Sequence, residues 1–88
     1  MARSMKLVVR YGIGPYYNTE HLVNEIRQVY RHAGATVYLD WLRNRHHAEL
    51  FAFVDNGPLW CLGEFSAQSW DAAERKAEGM VDRWMEAQ

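Results

Sequence analysis

Apolar and polar residues alternate from Ala35 to Arg43, from His46 to Val54 and from Leu59 to Phe65, the two-residue period of half-buried strands. Turn-forming residues separate these runs at Asn44-Arg45 and Asn56-Gly57, which predicts two hairpins and a three-stranded antiparallel meander. Upstream, Lys6 to Tyr11 is a short β-branched run with Leu7, Val9 and Tyr11 on one side, stopped by Gly12-Ile13-Gly14-Pro15. Between that run and the meander, Leu22, Val23, Ile26, Val29, Tyr30 and Ala33 recur at helical spacing. Asn18 or Thr19 stands at its start as a cap, Glu20 favours its positive end, and Gly34 supplies a left-handed stop. A second amphipathic helix opens at Ser69 and repeats apolar residues at Trp70, Ala73, Ala77, Met80, Val81 and Trp84.

The expectation is therefore one α+β domain over residues 1–88, a two-layer sandwich of β-α-β-β-β-α order with both helices on one sheet face. Two-residue turns set the register of the meander. Val37, Leu39, Trp41, Ala48, Leu50, Ala52, Val54, Leu59, Cys61, Gly63 and Phe65 then share the face that the helices cover, with small residues where a helix approaches closely. The opposite face places Tyr38 beside Phe51 beside Leu62, and Phe53 beside Trp60, an apolar band where a wet surface would be polar. The same register aligns Asp40, Glu49 and Glu64 across three strands, and like charges in such a row call for a cationic neighbour.

Composition narrows the classes of function. The 88 residues hold one core, 49% hydrophobic content excludes a disordered chain, and the absence of a long apolar run argues against a membrane span. Ten basic against eleven acidic residues leave a net charge of −1, so no global field draws in nucleic acid. A single cysteine, Cys61, and a polar N-terminal stretch predict a reducing, cytoplasmic setting. Twelve aromatic side chains are more than a core this small needs, which puts some of the rings outside it.

Candidate chemistry is sparse. The acid row with His46-His47 nearby is the nearest approach to a metal site, but side chains on a flat strand face point outward in parallel and adjacent histidines face opposite ways, so no metal or cofactor is expected. The Gly12-Ile13-Gly14-Pro15 turn lacks the third glycine and the Lys-Ser/Thr ending of a phosphate loop. Cys61, on the core-facing side, has no histidine or acid beside it, and His21 and His32 are expected to be solvated on the helix flank. With no nucleophile, base and acid brought together, an enzyme is not expected.

From Asn18 onward the order helix, three antiparallel strands, helix resembles the double-stranded RNA-binding domain family, with Gly63, Ser69, Ala73 and Ala77 similar to the small positions of its last-helix motif. The resemblance implies that fold more than its activity. Where that family carries RNA-contacting lysines this chain holds Trp70, Asp71 and Glu74, which would repel phosphate.

Two functions are expected in order. The first is a non-catalytic protein-binding module, taking a protein partner or a second copy of itself, with Tyr38, Phe51, Phe53, Trp60 and Leu62 as anchors and Asp40, Glu49 and Glu64 as a charge selector. Small domains with such faces resemble virus-encoded inhibitors of host machinery, including anti-CRISPR proteins. The alternative is a degenerate RNA-binding domain using Arg10, Tyr16, Tyr17, Arg43 and Arg45.

Overall fold

In the computed structural model, which describes residues 5–12, 16–18, 21–23, 25–42 and 46–88, the chain forms a five-stranded antiparallel sheet with one helix. Strands β1 (Lys6–Gly12), β4 (Glu25–His32), β5 (Ala35–Leu42), β6 (His47–Val54) and β7 (Trp60–Ser66) lie in that order, each beside its neighbour. Two three-residue strands, β2 (Tyr16–Asn18) and β3 (His21–Val23), form a separate antiparallel pair. Helix α1 (Trp70–Glu86) follows β7. It is not long and apolar enough to cross a membrane.

The expected β-α-β-β-β-α order is thus corrected: among the described residues there is one helix, and the segment expected as the first helix forms β3 and β4. The resemblance to the double-stranded RNA-binding domain loses the element order it rested on. Ala33 and Gly34 are the two central residues of a hairpin closed by the His32–Ala35 pair, both at positive φ, as the turn that suits the strand twist requires. Gly34 supplies its left-handed conformation there, in a hairpin turn and not at a helix end.

The C-terminal expectations fare better. Helix α1 is capped by Ser69, whose hydroxyl accepts from the Ala72 N–H, and buries Ala73, Ala77 and Val81. These small residues, four apart, form one stripe that lets the helix sit close to the sheet. Beneath it lie Ala35, Val37, Leu39, Trp41, Ala48, Leu50 and Ala52, all buried. The β5–β6 register is the expected one, with Tyr38 opposite Phe51 and Leu39 opposite Leu50. The turn residues 43–45 lie outside the described ones, as do 13–15 and 19–20, so the expected Asn44-Arg45 and Gly12–Pro15 turns and the Thr19 cap fall beyond what can be described.

The β6–β7 pair starts in the expected register, with Glu49 opposite Glu64 and Leu50 opposite Gly63, then shifts by one residue. The turn that joins it is centred on Asp55-Asn56, with the Gly57 N–H donating to the Val54 carbonyl. A β-bulge between Leu50 and Phe51 leaves Leu62 unpaired, and Gly63 beside it adopts φ 144, a backbone that side chains disfavour. A Cβ at Gly63 would also stand 3.1 Å from Met80 Cε, so the helix does approach closely at that small residue.

One flank of α1 carries Glu74, Glu78 and Asp82, four residues apart, and each captures a polar group of the N-terminal half of the chain. Tyr30 donates its hydroxyl hydrogen bond to Glu74, the Met5 N–H donates to Glu78 at 3.0 Å, and Asp82 lies 2.6 Å from His32 Nε2. Gln28, fully buried, bonds to Tyr30 and accepts from Arg10, whose guanidinium lies 5.9 Å from the centre of the Trp70 ring. No buried side-chain nitrogen or oxygen among the described residues lacks a partner. The helix therefore closes the core with methyl groups along its centre and satisfies the polar side of β4 with carboxylates along its flank. His32, expected as solvated, is buried by this arrangement.

Candidate docking face

The helix covers one side of the sheet. The other side is built from the alternate residues of each strand, so strand pairing alone dictates which side chains meet there. Three rows carry the band and its charges, and a fourth, Glu25, Leu42, His47 and Ser66, lies beyond the acid row. The middle row runs Val9, Val29, Tyr38, Phe51, Cys61. The row on one side of it runs Tyr11, Arg27, Asp40, Glu49, Glu64, and the row on the other runs Lys6, Arg31, Thr36, Phe53.

The apolar band exists, and it is longer than expected on one side and shorter on the other. Val29, Tyr38, Phe51 and Phe53 are half-buried against one another, and the Tyr38 and Phe53 rings meet edge to face with centroids 5.7 Å apart. Val9 and Tyr11 on β1 extend the band and are exposed. Because of the bulge, Trp60 and Leu62 leave it: Trp60 pairs with Ala52, on the helix side of the sheet, and is 54% exposed, while Leu62 packs against the buried core. Cys61 makes the opposite exchange, standing opposite Phe51 and exposed where a buried thiol was expected.

The acid row also exists, and its cation is supplied from within the chain. Arg27 on β4 grips Asp40 with two parallel hydrogen bonds of 2.7 Å, and the Asp40 hydrogen bond holds the guanidinium well above its ordinary pKa. The same guanidinium lies 4.6 Å from the centre of the Tyr38 ring. Asp40 is only 6% exposed, so it is occupied and unavailable as a selector. Glu64 lies 3.4 Å from His47 Nε2, and Glu49, between the two acids, has no ion-pair partner among the described residues. Net negative charge is therefore left at the Glu49–Glu64 end of the row.

Arg27, Val9 and Val29 are absent from the expected face because the helical spacing of Leu22 to Ala33 predicts a helix where β4 forms. Their signal was the alternation of Arg27, Val29 and Arg31 against Gln28, Tyr30 and His32, masked because the buried set is polar. Of the residues proposed for RNA, Arg10 points to the helix side and is engaged by Gln28 and Trp70. Tyr16 and Tyr17 lie in β2, with side chains outside the described ones, and Arg43 and Arg45 lie outside the described residues altogether.

A cleft of about 370 Å³ at the end of the sheet is lined by His46, Ser66, Ala67, Gln68, Ala72 and Lys76. The Lys76 ammonium there donates to the Ser66 carbonyl at 3.2 Å. Among the described residues no three His, Cys, Asp or Glu side chains are grouped to hold a metal ion. No family model, curated protein or solved structure matches this chain.

Proposed function

We propose that this protein is a non-catalytic protein-docking module whose partner covers the sheet face opposite the helix, with Tyr38, Phe51 and Phe53 as anchors. The observation that carries this reading is the contiguous band of Val9, Val29, Tyr38, Phe51 and Phe53 on a face that α1 does not touch. A five-stranded sheet needs one covered face to fold, and Leu39, Leu50 and the helix already supply it. Rings on the second face add nothing to that core and present the aromatic anchors that interfaces favour.

A photo-activated cross-linking residue in place of Phe51 tests the reading in cells, with the same residue at Arg75, on the exposed side of α1, as comparison. Protein adducts at position 51 and none at 75 are expected. Equal capture at the two positions, or nucleic acid as the main adduct at 51, would sink it.

A further inference from the structure

We infer that the occupant of this face is a second copy of the chain, packed face to face about a two-fold axis with the strands of the two sheets crossing at roughly a right angle. The inference rests on the docking reading and names its partner. Its basis is where charge and rings fall on the face.

Lys6 and Arg31 stand side by side at one corner, on β1 and β4, and both are exposed. Glu49 and Glu64 stand side by side toward the diagonally opposite corner, on β6 and β7, one row inside the His47–Ser66 edge and with His47 Nε2 3.4 Å from Glu64. Arg27 and Asp40, nearer the middle, neutralise each other. The face is therefore positive at one corner, negative at the other and apolar between, with Tyr11, Tyr38 and Phe53 running along the second diagonal.

Strands about 4.8 Å apart, with same-face residues about 6.8 Å apart along each, put the charged corners on a line at about 45° to the strands. An in-plane two-fold axis through Tyr38, perpendicular to that line, sends the positive corner of each copy onto the negative corner of its partner. It does so twice, once for each copy. The same rotation keeps the aromatic diagonal on the axis, where rings meet the partner's rings. Because the axis makes about 45° with the strands, the two sheets cross at about 90°, one of the two ways in which sheets pack.

A mutual fit of this kind is not required of a surface shaped for an unrelated protein, which needs charges opposite to its partner's and not to its own. The face measures roughly 650 Å² in plan, below the roughly 800 Å² per partner of a standard interface, so the pair is weak and reversible.

Sedimentation equilibrium of the full chain from about 1 μM to about 1 mM covers that range. The wild type is expected to shift from monomer to dimer. Arg31→Glu alone sets a new carboxylate against the partner copy's acidic corner, and Glu64→Arg alone sets two cations together, so each is expected to dissociate roughly tenfold or more readily. Both sites are exposed, and circular dichroism checks that each variant folds. Mixed in equal amounts, the two variants are expected to form a heterodimer at least as tight as the wild type, because each of its corners pairs opposite charges. A wild type that stays monomeric at about 1 mM overturns the inference, as does a dimer that the single changes leave intact or that the mixture fails to restore. If the wild type is monomeric while position 51 still cross-links to another protein, self-pairing falls and the docking reading stands; if position 51 captures nothing, both fall.

Discussion

The two faces of the sheet are both apolar, yet they are apolar in different ways. Beneath the helix the residues are small or aliphatic and wholly buried, Ala35, Val37, Leu39, Ala48, Leu50 and Ala52, and the polar side chains among them are bonded to helix carboxylates. On the other face the residues are rings and β-branched side chains, half-buried against each other, with one arginine bridging an acid and a ring. Close packing against a helix selects small, complementary shapes, whereas an uncovered sheet face retains side chains that can be buried a second time. The difference separates what folds the chain from what the chain presents.

Truncation should expose that division most sharply. Leu50→Ala, under the helix, is expected to cost about 2–5 kcal/mol by leaving a cavity in a core with little room to relax. Phe51→Ala, its neighbour on the other face, removes a larger side chain and is expected to cost less in the monomer. Urea unfolding at low protein concentration compares the two, and an equal or larger loss at Phe51 would erase the distinction between the faces.

A smaller effect lies in the polar seam beside the helix. Burial pushes the Tyr30 hydroxyl above its ordinary pKa, and the hydrogen bond to Glu74 pushes it further. The folded chain then keeps a proton that the unfolded chain loses above a pKa of 10.0, so this contribution to stability is complete below that pH and is lost as pH rises beyond it. Tyr30→Phe is expected to cost about 1 kcal/mol at neutral pH, with Gln28 and Glu74 left short of a partner, and to flatten the alkaline fall in stability. Parallel alkaline slopes for the two proteins would show that the seam carries no such linkage.

The same contrast explains how much could be read from the chain. Strands β5 and β6 were legible because their covered positions are all apolar and their alternation unbroken, and that fixed the pairing of Tyr38 with Phe51 and of Asp40 with Glu49. Strand β4 was not, because its covered positions include Gln28 and His32, whose partners include helix residues 46 and 50 positions further along the chain. With those two masked, Val29 on the outer face completed a helical spacing with Ile26 and Tyr30. The Ala33-Gly34 turn hid the hairpin as well, since alanine seldom takes the positive φ that asparagine would have announced. The bulge at Leu62 was illegible for another reason: it sits beside Gly63, whose positive φ breaks the ladder without interrupting the local alternation. Half of the proposed docking face was therefore visible, the β5 and β6 half, and its cationic side was not.

The most direct test of whether the outer face is a surface to be covered is the proton relaxation of single aromatic rings in the presence of a soluble paramagnetic agent, followed as the protein concentration rises. Phe51 and Phe53 report on the outer face, and Trp60, 54% exposed on the other side of the sheet, reports on open surface. The account predicts that relaxation enhancement at Phe51 and Phe53 falls as copies associate while that at Trp60 stays constant. Enhancement that is constant at all three rings, or that falls equally at all three, would contradict it.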